Sequence, residues 1–198
     1  MKNSRLTREI VIDCAMSLVH ESGLHGLRLN KIAERLEVKS PSLYTHTGSV
    51  TELRQAVVKR AMEEFREELV DSLLGRANLY AFIELGKTWA AYAKKNNAFY
   101  IVFYEKDYID FYEENISFFL RAAFERIFLE CDLTDQEVLQ VERVLTNYFR
   151  GHADSFADSS FDESDLISDL EIIYSGILQN FMTVSYTHLR AHETRRHL

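Results

Sequence analysis

Between Lys39 and His46 the chain reads Lys-Ser-Pro-Ser-Leu-Tyr-Thr-His, placing an ammonium, three aliphatic hydroxyls, a phenol and an imidazole around a single leucine. At helical spacing Leu43 is the one inward side chain of a helix about two turns long. Ser42, Tyr44, Thr45 and His46 are short or flat polar groups left for something outside. The chemistry of such a surface is recognition. Hydroxyls and amides read base edges in a major groove, and hydroxyls, cations and helix N-termini hold phosphates.

The flanking residues say how that helix would be positioned. From Asn30 onward, Ile32, Ala33 and Leu36 fall at helical spacing, and Glu37-Val38-Lys39 is too short a bridge to be anything but a turn. Ser40 is expected to be the N-cap of the second helix, with Pro41 at its first helical position, where the missing N–H costs nothing and φ is preset. Two short helices joined in this way form a helix-turn-helix.

The residues that carry this motif resemble the tetracycline-repressor (TetR) family. The match runs through Ala15 and Leu18, Gly23 and Gly26, and Lys31-Ile32-Ala33. It continues through Val38, Ser40-Pro41-Ser42-Leu43-Tyr44 and His46 to Glu52-Leu53. It covers residues 7–55 closely and the remainder only by helical layout. The resemblance implies an all-α protein. Residues 1–48 would form a three-helix DNA-binding domain, and residues 49–183 a helical ligand-binding and dimerising domain, with about nine helices in all. It further implies a homodimer on a near-palindromic operator, with repression relieved by a small-molecule effector. Position by position, Asn30, Ser40, Ser42 and Thr45 would approach bases, Lys39, Tyr44 and His46 would hold phosphates, and Pro41 would fix the entry of the helix. Three positions depart from the family pattern: Leu29 replaces a hydroxyl residue, Glu37 the usual turn glycine and Val50 a common phosphate-binding lysine. The Glu37 departure requires a left-handed backbone or a reshaped turn, at about 1 kcal/mol. The lost lysine removes one phosphate contact.

The C-terminal stretch from Val184 to Thr194, VSYTHLRAHET, resembles a translated transposase-type sequencing adapter, with Arg195 to Leu198 as run-through. The expectation is that residues 184–198 are not native and that the natural chain departs from this one after Thr183. His188 and His192, a metal-like pair at one helical turn, are therefore excluded from functional argument.

Charge is distributed unevenly. Residues 1–60 carry 10 Lys and Arg against 6 Asp and Glu, a net +4, whereas residues 61–183 carry 10 against 24, a net −14. A basic module on an acidic body suits electrostatic docking to DNA with the body turned outward. Lys2, Arg5 and Arg8 could reach phosphates as an arm. Neither a signal peptide nor a long apolar run is visible, so the chain is expected to be soluble, cytoplasmic and not associated with a membrane. Cys14 and Cys131, the only cysteines, have no ligand spacing and are expected in the core. No cofactor is implied. There is no glycine-rich phosphate loop, His-Glu-x-x-His pair or nucleophile elbow to support an enzyme.

Beyond residue 48 the pattern is helical. Ser49 caps a helix to about Leu74 that Gly75 ends, Asn78 to Asn97 forms the next, and a long helix is expected from Tyr108 to Glu130. This region is dense in rings. The expected ligand pocket is walled by Trp89, Tyr92, Phe103, Tyr104, Tyr108, Tyr112 and Phe119, with Arg121 or His152 as polar anchors, because buried tyrosine hydroxyls need partners that a polar guest supplies. The excess of acids favours a neutral or cationic guest. Thr134 caps a penultimate helix, and Asp162 to Asp165 opens the last. A dimer interface is expected over Val141, Leu145 and Tyr148, with Leu170, Ile173, Tyr174, Ile177 and Phe181, helped by the small Ser175 and Gly176. Around Tyr148 to Asp162 there is a loose likeness to a repressor subgroup, with Thr146 and Arg150 standing where its Trp and His would be. The alternative to a DNA-binding repressor is a helical dimer that has lost DNA binding and acts through protein partners.

Overall fold

The computed structural model describes residues 6–152, 155 and 162–194, and every regular element among them is helical. Lys2, Arg5, Arg195 to Leu198 and most of the segment after His152 lie outside the described residues. Side chains are described as far as Met182, so His188 and His192 lie outside them as well. The helices are α1 (Arg8–Ser22), α2 (Leu29–Arg35), α3 (Ser40–Thr47), α4 (Val50–Leu73), α5 (Asn78–Lys95) and α6 (Asn97–Tyr100). They continue as α7 (Ile109–Tyr112), a π turn (Glu113–Ser117), α8 (Phe118–Ile127), α9 (Asp135–Gly151) and α10 (Glu163–Thr194). The fold is all-α, and α10 continues through most of the adapter-like segment.

The chain divides into two compact units, residues 1–64 with 96–113, and residues 65–95 with 114–198. In the first, α1 turns Val11, Ile12, Ala15, Leu18 and Val19 onto Ile32, Ala33 and Leu43, all buried. Thr7 caps α1 by accepting the Ile10 N–H at 3.3 Å. The Glu21 carboxylate takes both terminal nitrogens of Arg35 at 2.8 Å each, tying α1 to α2. Segment 96–113 adds Phe99, which meets the His20 ring edge-on at 5.0 Å. His25 and Glu105 pair at 3.2 Å.

In the second unit the core is aromatic. Trp89 stacks on Phe149 at 4.5 Å and 10°, while Phe65 meets Trp89 edge-on and Tyr92 at 4.5 Å. Phe82, Phe128 and Tyr174 form a second cluster. The α10 helix lies along α5 so closely that a Cβ at Gly86 would collide with the Leu170 side chain. Thr134 caps α9 through a reciprocal box with Glu137, as its sequence predicts. At the start of α10, Asp162 accepts the Ser164 N–H at 3.0 Å.

Two expectations are corrected here. The long helix expected from Tyr108 to Glu130 is interrupted by the π turn, whose wider winding shifts the side-chain register. Phe118, the first residue of α8, is 72% exposed. Of the expected dimer residues, Val141, Leu145, Leu170, Tyr174, Ile177 and Phe181 are at most 8% exposed within the single chain. Packing of α10 on α5 and of α9 on α8 covers these six side chains within the protomer. Tyr148 and Ile173 are half-buried, and the Tyr148 hydroxyl donates to Asp169 at 2.9 Å.

Candidate nucleic-acid interface

The turn between α2 and α3 is a Schellman closure. Val38 N–H donates to Ala33 O at 2.9 Å and Glu37 N–H to Glu34 O at 3.2 Å, with Glu37 at φ 55°. These bonds satisfy carbonyls at the end of α2 and reverse the chain within three residues. Glu37 thus accepts the left-handed conformation that a glycine would adopt freely.

The α3 helix begins one residue earlier than expected. Lys39 is its cap and makes no side-chain cap bond, Ser40 is already helical and Pro41 lies in the first turn. At about 100° per residue, Pro41, Thr45 and Ser42 occupy the middle of the outward arc, with Tyr44 and His46 at its edges. Ser40 falls on the inward side with Leu43 and Thr47. Burial follows this arrangement: Leu43 and Thr47 are buried, Ser40 and His46 are half-buried, and Pro41, Ser42, Thr45 and Tyr44 are exposed. The Thr45 hydroxyl donates to Ser42 O at 2.8 Å, which leaves its lone pairs outward. Thr47 donates to Leu43 O at 3.0 Å. Ser40, expected to contact bases, is half-buried on the side of α3 that carries Leu43 and Thr47.

Asn30 is exposed on the first turn of α2, and its carboxamide oxygen accepts the Lys31 N–H at 3.0 Å, so its amide NH2 remains able to donate. Arg28, the cap residue of α2, makes no side-chain cap bond. Lys39 is exposed and enters no ion pair among the described residues. Val50 is half-buried at the start of α4 and offers no charge to a phosphate.

Several supporting residues were not singled out in the sequence. Arg28 and Arg54 both donate to the carbonyls of His25 and Leu27, holding the short turn that ends α1. Arg60 is engaged by Glu64 and Glu9. Part of the basic surplus is therefore structural, which only the folded contacts reveal. Ser49 and Glu52 form a capping box, with Ser49 N–H on Glu52 at 2.7 Å and Glu52 N–H on Ser49 at 3.1 Å. Gly48, at φ 64°, leaves no room for a Cβ against that carboxylate. The Ser-x-x-Glu spacing is legible in sequence.

The rings expected to form one ligand pocket divide between the units. Phe103, Tyr108 and Tyr112 are buried in the first, where Tyr104 donates to Tyr100 at 3.1 Å and its ring meets Tyr112 at 5.0 Å. Burial holds the Tyr104 phenol well above its usual pKa. Trp89 and Tyr92 pack in the second unit, where Arg121 pairs with Glu142 at 2.9 Å and His152 Nδ1 lies 2.9 Å from Tyr148 O. The Tyr104 and Tyr148 hydroxyls donate to Tyr100 and to Asp169 respectively. Phe119 does line a cavity of about 590 Å3. Both cysteines are buried and free, and burial raises both thiol pKa values.

Fold and module together define an all-helical helix-turn-helix protein. No protein-family model matches the chain. Over 93 residues, 47% of this chain and 37% of the relative, it is 32% identical to the class D tetracycline repressor protein of Escherichia coli. It superposes on a TetR-family transcriptional regulator from Streptomyces coelicolor with a TM-score of 0.70 at 14% identity, covering 96% of this chain and 86% of that one. A TetR variant from Acinetobacter baumannii AYE, solved in complex with minocycline, matches with a TM-score of 0.62 at 17% identity, over 89% and 95%. The chain spans half or less of the length of the curated relatives it matches. In fold the chain is similar to TetR-family regulators, and in the sequence of its N-terminal half it is similar to tetracycline repressor proteins.

Proposed function

We propose that the chain is a DNA-binding transcriptional regulator that acts in the cytoplasm as a homodimeric repressor and leaves its operator when a small molecule binds. The observation that carries this reading is α3, whose Ser42, Tyr44 and Thr45 face solvent while Leu43 and Thr47 anchor it from behind. The names of the similar proteins support it: they are called regulators and repressors, and one was solved with minocycline. Among the described residues no helix is long and apolar enough to cross a membrane.

In this reading Ser42 and Thr45 read base edges, Asn30 assists from α2, and Tyr44, His46 and Lys39 bind phosphates. Residues 1–48 form the DNA-binding part. Two copies meet through the faces of α9 and α10 left open by the protomer, where Leu139, Val144, Ile172 and Met182 are 43–68% exposed beside the exposed Ser175 and Gly176. Their α3 helices then stand about one DNA turn, roughly 34–36 Å, apart or at a multiple of it. An effector releases DNA only by binding more tightly to a form in which that spacing is lost. The test is a shift assay over a salt series with the DNA upstream of the chain's own gene. Sequence-specific retention supports the regulator. Absence of retention at low salt rejects it in favour of a helical dimer acting on protein partners, the reading to which Leu29, Glu37 and Val50 point.

A further inference from the structure

The cavity of about 590 Å3 in the second unit lies where the end of α4, the start of α5 and the outer side of α8 meet. That volume lies in the range of small-molecule sites. Its walls are Val70, Leu73, Ala81, Phe119, Ala123 and Ile127, and its rim includes Leu74 and Leu129, which are 67% and 75% exposed. Exposed leucines at the mouth of an apolar trough are unusual for a surface that meets only water.

Two of the polar side chains at this trough, Arg76 and Arg126, are cationic, against the sign of the surrounding body. Arg126 is exposed at its edge and enters no ion pair among the described residues. Arg76, also in the lining, is half-buried. It donates to Ser72 O at 2.8 Å and lies 3.8 Å from Glu84, and its buried Nε has no partner. Residues 61–183 hold 24 acids against 10 bases, so a cation left without an acid there is an exception. The first turn of α5, from Asn78, also borders the cavity, so the N-terminal end of an 18-residue helix lies at its edge. Glu130 is the one acid in the lining.

We propose that this cavity is a binding site for an alkyl carboxylate, with the chain along Phe119, Ala123 and Ile127 and the carboxylate at Arg126 and Arg76. The overall acidity of the body favours a neutral or cationic guest, but contact charges outweigh distant ones because screening removes fields beyond about 10 Å. The assignment rests on the second unit being a small-molecule-binding body.

Calorimetric titration of the full chain with decanoate, decan-1-ol and decyltrimethylammonium, each below its micellar range, tests it. Decanoate is expected to bind one per chain and at least about 10-fold more tightly than either analogue, the value of a charge-assisted contact. Arg126→Gln, at an exposed position, should abolish that preference and leave decanol affinity unchanged. Ala123→Trp should block all binding. Equal affinity for the three amphiphiles, no decanoate binding, or an unchanged preference in Arg126→Gln would each overturn the assignment. The DNA shift assay without any amphiphile reads the regulator proposal separately, so one can fail while the other stands.

Discussion

Glu37 carries a local cost that the rest of the module absorbs. Its φ of 55° is set by the two bonds that close α2, and a side chain there suffers the crowding that glycine avoids. Glu37→Gly should therefore stabilise the protein by about 0.5–1 kcal/mol, the gain being reduced by the greater freedom of the unfolded glycine chain. Thermal unfolding should show a rise of about 1–4 °C, and an unchanged or lower midpoint would mean that the turn is not strained. On the outward arc of α3 the roles separate by chemistry. Thr45→Ala should alter preference at particular base pairs, by about 1–3 kcal/mol each, whereas Tyr44→Phe should weaken all operator variants alike. Binding measured on a set of single-base operator variants distinguishes the two patterns. Ser40, half-buried beside Leu43 and Thr47, should affect base preference less than Thr45 when replaced by alanine.

Elements here are begun and ended by short polar signals. Thr7, Ser49 and Thr134 each cap a helix through the side-chain oxygen, and the last two do so with a glutamate three residues on. Replacing Thr134 by Ala should cost about 1 kcal/mol by loss of the cap, readable as a shift in urea midpoint with the slope unchanged. Between α1 and α2 the Arg35 guanidinium holds the Glu21 carboxyl below its usual pKa. A depressed carboxyl pKa adds stability above the unfolded value and loses it as pH falls through the folded value. Arg35→Gln should accordingly lower stability at neutral pH and match the unaltered protein in strong acid. A deficit that persisted in acid would point to packing instead of the ion pair.

At the scale of the molecule, the basic first 60 residues and the acidic body predict binding that is strongly salt-dependent. Lys39→Gln should flatten the slope of log affinity against log salt by about one unit, the loss of a single phosphate contact. Dimerisation through the open faces of α9 and α10 predicts that Ile172→Asp gives a monomer in sedimentation, because an aspartate at a 68% exposed position costs the folded chain little. A variant that stayed dimeric would place the interface elsewhere.

The all-helical class, the helix-turn-helix and the caps at Ser49 and Thr134 were legible in the sequence, because periodicity, Gly, Pro and cap side chains act within a few neighbours along the chain, whereas the cap expected at Ser40 fell on Lys39. Tertiary structure alone decided what long-range packing controls. Six apolar residues of α9 and α10 became protomer core because α5 and α8 cover them, and a π turn before α8 interrupted the long helix expected from Tyr108 to Glu130. Arginines counted as basic surface were committed to carbonyls at His25 and Leu27. An apolar stripe reports that a face will be covered, and a positive charge that it will find an anion. Which partner does so depends on residues distant in sequence, and those are brought together only when the chain folds.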